Sequence, residues 1–293
     1  MNWENFRGFW PNARYSRFVP TQGHSWHVQD AGEGPCVLLL HGAGASTHSW
    51  RDVLPDLARA HRVVAIDLPG QGFTRVDDPD RCGLPAMAAD IAALLAAEAI
   101  APDVVVGHSA GAAIGLRLAL DLPRPPEAVV AINGALGNFH RPSSDVLSRL
   151  TLMAASTPLP AVGFSWIASS HALVRLMISA TGSRLDHRGV EYYRRLLSDR
   201  GHVAATVAMM ARWDVATLLE DLPKVRSRTL LLVGDADLAV QPEASRAAAR
   251  RMAGSRVEAF HGLGHLLHEE RPAAAAGAIR NFAAEARDAR RAG

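Results

Sequence analysis

The feature that most constrains the fold is an alternation of short apolar runs with longer helix-patterned segments. The runs CVLLL at Cys36 and RVVAI at Arg62 are continuously apolar, which is typical of strands buried on both faces of a parallel sheet. Segments of helical spacing, such as residues 47–60 and 84–100, follow such runs. Repeated strand, helix and strand units predict an α/β fold with a mostly parallel, doubly wound sheet.

The alternation is interrupted once. Long strand-like runs are absent between residues 136 and 225, where helical patterns carry several Met and Trp residues, and they return with RTLLLVG after residue 226. A helical insertion between strands is typical of a lid over a site. We expect an aromatic N-terminal segment (residues 1–22), an α/β core (23–135 and 226–293) and an inserted helical lid (136–225).

Composition narrows the function classes. The chain has 293 residues, 48% of them hydrophobic and 20% charged, which is typical of a soluble globular protein. Its 31 basic and 29 acidic residues leave a net charge of +2, so we expect no nucleic-acid partner. Cys36 and Cys82 lack metal-ligand spacing, and neither a signal-like segment nor a transmembrane run is present. These features predict a reduced, cytoplasmic protein.

A glycine-bracketed serine lies where the run VVV changes into a helical pattern. Residues Gly107 to Gly111, GHSAG, fit the G-x-S-x-G elbow. There the glycines let strand and helix approach while the serine takes a strained conformation. We predict that Ser109 is a nucleophile; the alternative is a small polar residue at a strand-to-helix junction.

A serine hydroxyl needs a base, and the base needs a carboxylate that orients it and stabilises its cation. Asp237 follows the run RTLLLVG, and His265 comes 28 residues later, after the next run. Both positions belong on loops at the carboxyl edge of the predicted sheet, beside Ser109. We therefore predict Ser109, Asp237 and His265 as a catalytic triad.

Other readings of these loops remain open. Asp235 and Asp237 could both be turn formers, because turns after strands are rich in Asp. His261 and His268 are rivals of His265, and their spacing raises the alternative of a metal site. That site lacks a second ligand pair, whereas a hydrolytic metal normally has three protein ligands, so we expect no metal and no cofactor.

Acyl transfer also needs two amide donors for the developing oxyanion. Ala110, at the N-terminus of the helix after Ser109, is one candidate, since the helix dipole adds to its amide. Ala43, in the HGAG turn after the first buried run, is the other. We expect the neighbouring His41, Gly42 and His108 to line the substrate site. The alternative for the turn is a plain glycine-rich connection.

Five segments together, HGAGAS, DLPGQGFT, GHSAG, GDAD and GLGH, resemble the α/β-hydrolase superfamily from about residue 23 to 286. The resemblance implies the same triad. One departure is Gln71, where the superfamily frequently has histidine. Serine in place of an aspartate nucleophile argues against dehalogenase and epoxide-hydrolase chemistry, which leaves esters, thioesters, amides and certain C–C bonds.

A narrower resemblance comes from the segments WPNARYSRFV, WHVQDAG, HGAGASTHSWRDVLP, GHSAGAAI and INGAL. They are similar to the magnesium-chelatase accessory proteins of bacteriochlorophyll biosynthesis, the BchO type. This resemblance implies a role near the insertion of magnesium into protoporphyrin, or in an adjoining step, with chelatase subunits as partners. It implies no particular reaction, because fold does not determine function.

Several apolar residues of the insertion are candidates for a pocket that takes a small hydrophobic molecule such as a porphyrin. They are Trp166, Met177, Met210 and Trp213. The alternative is that they pack the lid onto the core. Asn133, which ends the strand after the elbow helix, either orients a polar substrate group or bonds a neighbouring loop.

Six aromatic residues fall within residues 3–18. Trp3, Phe6 and Trp10 could share one side of a short helix before Pro11. They would then form a dock for a partner or for the surface of the inner membrane. The alternative is that they fold against the first strands of the same chain.

Two functions from different classes fit these observations. In the first, the protein is a serine hydrolase acting on an ester or related acyl bond in tetrapyrrole metabolism. In the second, it is a non-catalytic porphyrin-binding or chelatase-assisting protein on a hydrolase fold. An esterase of unrelated metabolism is a third reading.

Overall fold

One mixed sheet runs through the computed structural model, which describes residues 1–21, 23–78, 80–137 and 170–292. Its strands are β1 Ser16–Thr21, β2 His24–Ala31, β3 Cys36–Leu40, β4 Arg62–Ile66, β5 Arg75–Val76, β6 Val104–His108, β7 Ala128–Ile132, β8 Arg228–Gly234 and β9 Ser255–Phe260. Their order is β1-β2-β4-β3-β6-β7-β8-β9, and β5 pairs with β2. All pairs from β4 through β9 are parallel, whereas β2 is antiparallel to its neighbours.

Helices connect the parallel strands. The described α-helices are α1 Val53–Leu57, α2 Leu84–Ala97, α3 Ala110–Asp121, α4 His171–Ala180, α5 His187–Leu197, α6 Arg200–Ala211, α7 Ala216–Asp221, α8 Pro242–Ala249, α9 Leu267–Glu270 and α10 Pro272–Ala292. Short 3-10 helices lie at Trp3–Asn5, Ala13–Tyr15, Thr47–Trp50 and Leu222–Lys224. The segment that we predicted as helical at residues 47–60 is therefore a 3-10 turn followed by the short α1.

The sheet is buried on both faces. Leu38 and Leu40 of β3 pack in a cluster with α2 and α3, whereas Val37 and Leu39 pack with α1 and α10. Successive side chains of a strand point to opposite faces, so a continuously apolar run satisfies two helical layers. Burial of each of these Leu side chains stabilises the folded state by about 2 kcal/mol. The predicted α/β class with a doubly wound, mostly parallel sheet is confirmed.

The first edge of the sheet is β1 rather than the strand whose sequence alternates like that of an edge strand. The segment at residues 24–30 alternates like an edge strand, yet β2 lies inside the sheet, between β1 on one side and β4 and β5 on the other. The actual edge is β1, whose SRFVPT sequence contains Pro20. A proline lacks the N–H needed for a strand ladder and is therefore tolerated at an edge.

The insertion between β7 and β8 is helical where it is described. Helices α4 to α7 occupy residues 171–221, and residues 138–169 lie outside the described part of the chain. The end of the insertion packs on the sheet, because Met209, Trp213 and Leu218 belong to the same buried cluster as α2 and α3. Each helix in the described part of the chain is too short or too polar to span a bilayer.

The aromatic N-terminal segment folds onto its own chain. Trp10 is 3% exposed and packs edge-on against Phe73 and Tyr192, the latter in α5. Trp3 contacts Phe73 as well, and Phe6 packs against the same cluster. This arrangement corrects the expectation of an aromatic membrane dock for Trp10, since its indole is already buried by protein.

Candidate active site

Ser109 lies on a sharp turn between β6 and α3. Its backbone has φ 53° and ψ −113°, an unfavourable conformation for a residue with a side chain. A Cβ at Gly107 would lie 2.2 Å from the carbonyl oxygen of Gly111, and one at Gly111 would lie 2.2 Å from that of Leu40. Neither position has room for a side chain, so the two glycines allow the turn that exposes Ser109 at the carboxyl edge of the sheet.

The predicted acid and base contact each other. His265 Nδ1 donates to Asp237 Oδ2 at 2.8 Å. The other carboxylate oxygen, Oδ1, accepts the amides of Ala239 and Val240 at 2.8 and 2.9 Å. Both oxygens of a buried carboxylate are thereby held. Because Nδ1 carries the donated proton, Nε2 of the neutral imidazole is unprotonated and can act as a base.

The rival residues lie in different environments. Asp235 bonds His261 Nδ1 and the Gly262 amide, both at 2.6 Å, at the protein surface; the His261 side chain is 99% exposed. His268 is buried with its ring 4.6 Å from that of Trp50, and burial lowers its pKa to about 3. Among the described residues, no three His, Cys, Asp or Glu side chains form a group that could hold a metal ion.

Two side chains anchor the backbone of the base. The carbonyl oxygen of His265 accepts from His108 Nε2 at 2.9 Å and from Asn133 Nδ2 at 2.8 Å. Asn133 also donates to the Gly264 carbonyl and accepts the Gly234 amide. His265 is thus held to the residue that precedes Ser109. Of the two roles considered for Asn133, the structure has the bond to a neighbouring loop.

The HGAG turn packs directly on the nucleophile. A Cβ at Gly42 would lie 2.7 Å from His108 Nδ1 and 3.1 Å from Ser109 Cβ. His41 is fully buried; its Nδ1 donates to the Gly42 carbonyl at 2.8 Å and its Nε2 accepts the Leu68 amide at 2.9 Å. Contrary to our expectation of a substrate contact, both His41 nitrogens are used inside the protein.

The two expected amide donors flank this junction. Ala110 begins α3, so its N–H is one of the first-turn groups that have no intrahelical partner. Ala43 follows Gly42 in the turn, with its side chain packed against the buried cluster of the sheet. A carbonyl oxygen beside Ser109 would therefore approach the helix N-terminus and the turn together.

The expected pocket residues of the insertion fall into three groups. Met177 of α4 and Met210 of α6 are half-buried. Trp213 is 8% exposed and packs in the cluster on the sheet, which is the alternative considered for it. Trp166 lies outside the described residues.

Sequence reasoning missed two residues that touch the turn. Gln71 Oε1 accepts the Gly44 amide at 2.8 Å, and His202 of α6 lies 3.2 Å from the Gly44 carbonyl through Nε2. Gln71 was visible in the sequence as a departure from the histidine that is frequent in the superfamily, but we assigned it no role in the site. His202 belongs to no motif, so nothing in the sequence marked it.

A second set of Ser, His and Asp side chains is linked by hydrogen bonds near the N-terminal segment. His27 Nδ1 contacts Asp67 Oδ2 at 2.8 Å, and its Nε2 contacts Ser16 Oγ at 3.0 Å. Ser16 begins the extended strand β1 rather than a helix, and Asp67 also accepts the amides of Thr47 and Phe73. Burial opposes ionisation of Asp67, but the charge and hydrogen bond of His27 outweigh it and hold the pKa well below its usual range. These hydrogen bonds connect β1 and β2 to the end of β4.

The elbow, the anchored acid and base and the single sheet with helices on both faces define the class of protein. Residues 37–278 match the alpha/beta hydrolase family, and the chain belongs to it. A crystal structure of an alpha/beta hydrolase fold protein from Burkholderia ambifaria superposes with a TM-score of 0.75 at 27% identity, covering 90% of this chain and 97% of that one.

Within the family, the relatives include a chelatase subunit and a hydrolase. The magnesium-chelatase 30 kDa subunit of Rhodobacter capsulatus is 38% identical over 83% of this chain and 86% of its own. This match confirms the narrower resemblance found in the sequence. The 2-hydroxy-6-oxo-2,4-heptadienoate hydrolase of Pseudomonas putida is 27% identical over 88% of this chain and 92% of its own.

Proposed function

We propose that the protein is a serine hydrolase that cleaves an ester or related acyl bond. Ser109 is the nucleophile, His265 the general base and acid, and Asp237 the group that orients His265 and stabilises its cation. The amides of Ala43 and Ala110 bind the oxyanion. The observation that carries the proposal is the 2.8 Å contact of His265 Nδ1 with Asp237, on a base whose backbone is hydrogen-bonded to the residue before Ser109.

The proposed cycle has two halves. Ser109 Oγ attacks the acyl carbon while His265 Nε2 takes the hydroxyl proton, and the resulting oxyanion accepts the Ala43 and Ala110 amides. His265 then returns the proton to the leaving group, which departs and leaves an acyl-enzyme on Ser109. Water attacks the acyl carbon with His265 again as base, and the acid is released with Ser109 restored.

The pathway part of the proposal rests on the relatives. Identity of 38% with a magnesium-chelatase subunit supports a role in bacteriochlorophyll biosynthesis, with a tetrapyrrole ester as the substrate and chelatase subunits as partners. Half-buried Met177 and Met210 suit a bulky, flat ligand, because methionine adapts its shape to irregular surfaces.

The same relative favours a second candidate. A protein that assists the chelatase could bind a porphyrin without cleaving it, and its triad would then be inherited and idle. This candidate predicts that the loss of Ser109 has no consequence, whereas the hydrolase predicts complete loss of function.

The test is a comparison of chromosomal variants in a bacteriochlorophyll-forming host. Ser109→Ala, a full deletion and Ser198→Ala, which removes an exposed hydroxyl of the insertion, would be compared by chromatography of pigments and tetrapyrrole intermediates. We expect Ser109→Ala to lose pigment as the deletion does and Ser198→Ala to match the wild type. Normal pigment in Ser109→Ala, with loss in the deletion, would reject hydrolysis in favour of binding.

The purified protein allows a test that is independent of the pathway. A fluorophosphonate phosphonylates an activated serine, as Oγ forms a bond to phosphorus and fluoride leaves, and simple p-nitrophenyl esters report turnover. We expect labelling and turnover in the wild type and in Ser198→Ala, and neither in Ser109→Ala, with all three melting at the same temperature. Labelling that persists in Ser109→Ala would assign the nucleophile elsewhere.

A further inference from the structure

The turn that carries Ala43 is held on both sides. On one side, the Gly42 carbonyl accepts from His41 Nδ1 at 2.8 Å and from the Ala45 amide at 3.1 Å. On the other, the Gly44 amide donates to Gln71 Oε1 at 2.8 Å. The Ala43 amide belongs to the same peptide plane as the Gly42 carbonyl, so these bonds determine where the Ala43 N–H points.

His202 makes a third attachment to this turn. Its Nε2 lies 3.2 Å from the Gly44 carbonyl, and its Nδ1 accepts the Gly72 amide at 3.0 Å. Acceptance by Nδ1 requires a neutral ring, whose proton on Nε2 can then be donated to the Gly44 carbonyl, and burial lowers the pKa of His202 to about 4. His202 therefore links Gly44 to the loop that carries Gln71.

The two attachments of Gly44, through Gln71 and through His202, both lead to one face of helix α6. His202, Thr206 and Met209 are four and three residues apart, the spacing of a single helix face. A Cβ at Gly44 would lie 3.3 Å from Thr206 Cγ2, and Gln71 Nε2 lies 3.1 Å from Met209 Sδ. Gln71 and His202 are buried, so water does not compete for these bonds.

We propose that Gln71 and His202 are positioning residues for the oxyanion turn, and that the docked face of α6 sets the alignment of the Ala43 amide. Neither residue touches the reacting atoms; both act through Gly44. The inference rests on the proposed serine-hydrolase function, because only an oxyanion gives the alignment of this amide a consequence. It makes a helix of the insertion part of the catalytic apparatus.

The test uses a variant that removes one hydrogen-bond acceptor with little change of shape. Gln71→Met keeps an unbranched side chain of similar length but cannot accept the Gly44 amide, whereas Gln71→His restores an acceptor. Gln241→Met is the matched control at an exposed position. His202→Phe, which keeps a ring and loses both nitrogens, tests the same turn from α6 should Gln71→Met fail to fold.

The readouts are kcat and KM on p-nitrophenyl butyrate, the rate of fluorophosphonate labelling and the downfield proton signal of the bond between His265 and Asp237. An oxyanion donor acts in the transition state, so we expect kcat and labelling to fall about tenfold to hundredfold in Gln71→Met and His202→Phe. KM should stay within about twofold, the proton signal should not move, and Gln71→His should recover most of the rate.

Two failures are distinguishable. If the wild type is active and Gln71→Met matches it, or loses affinity while keeping kcat, the inference is wrong and the proposed function stands. If the folded wild type neither turns over esters nor reacts with the fluorophosphonate, the proposed function fails and takes the inference with it.

Discussion

Two aspartates that follow β8 differ in burial and in hydrogen-bond partners, although they are only two residues apart. Asp237 is buried, with one oxygen on His265 and the other on two backbone amides. Asp235 lies at the surface and bonds the exposed His261. The sequence predicts that both residues follow the strand. It does not predict which of the two is buried, because burial depends on the loops that pack around them.

Replacing each aspartate by asparagine should separate the two roles. An amide at residue 237 no longer stabilises the imidazolium and favours the wrong tautomer, so we expect kcat on p-nitrophenyl butyrate to fall roughly 10³- to 10⁴-fold in Asp237→Asn. Asp235→Asn should stay close to the wild type, because its partner is exposed. Equal losses in the two variants, measured at equal stability, would contradict the assignment of Asp237.

In the strand-turn-helix element from β6 to α3, glycine allows the backbone of the helix to lie close to the backbone of the neighbouring strand and turn. Gly111 lies in the first turn of α3, and a Cβ there would meet the carbonyl oxygens of Leu40 and His41 at 2.2 and 2.6 Å. Since both obstacles are backbone atoms of the neighbouring strand and turn, a rotamer change cannot relieve the clash. The helix would have to move away from the sheet.

Gly111→Ala should therefore destabilise the protein by about 1–3 kcal/mol and reduce fluorophosphonate labelling of Ser109. Gly277→Ala in α10 is the matched control, because its Cβ would meet only Arg280 at 3.9 Å. Alanine is a better helix former than glycine by about 1 kcal/mol, so this control should gain stability. Urea unfolding of both variants provides the measurement; unchanged stability in Gly111→Ala would refute the packing argument.

At the scale of the whole molecule, a buried carboxyl group joins the core to the insertion. Glu269 of α9 bonds Arg51 and accepts the hydroxyl of Tyr193 in α5 at 2.7 Å. Burial raises the pKa of Glu269 to about 7, against the opposing charge of Arg51 and the bond from Tyr193. The folded protein therefore holds this proton more tightly than the unfolded chain does.

This difference predicts a pH dependence of stability. The contribution of Glu269 to the free energy of unfolding should be full below about pH 4.5, the pKa in the unfolded chain, and should be lost as the pH rises through about 7. We expect the difference in the free energy of unfolding between the wild type and Glu269→Gln to fall by about 1–3 kcal/mol between pH 5 and pH 8. Urea unfolding of both proteins at the two pH values measures it. A difference that grows with pH would show that the ion pair with Arg51 dominates instead.

The N-terminal segment shows a limit of sequence reasoning at the same scale. Trp3, Phe6 and Trp10 are spaced as if on one helix face, but only Trp3–Asn5 forms a 3-10 helix, and the rings meet Phe73 and Tyr192 instead. An aromatic side chain is buried equally well by a membrane, a partner or a distant part of its own chain. Composition cannot distinguish these, because the partner lies more than 60 residues away.

The sequence by itself determined the parts that depend on local order. Apolar runs and helical spacing specify a sheet that is buried by helices on both faces, and the glycines around Ser109 specify the elbow. The order of elbow, Asp237 and His265 along the chain indicates the acid and base, because the ends of parallel strands meet at one edge.

Only the tertiary structure decided which strand forms the edge, where the N-terminal aromatics pack and how the HGAG turn is held. Asn133 anchors His265, and Gln71 and His202 anchor Gly44, across separations of 132, 27 and 158 residues. Such contacts leave no periodic trace in either partner. They arise only when folding brings buried polar groups together, each of which must then find a hydrogen-bond partner.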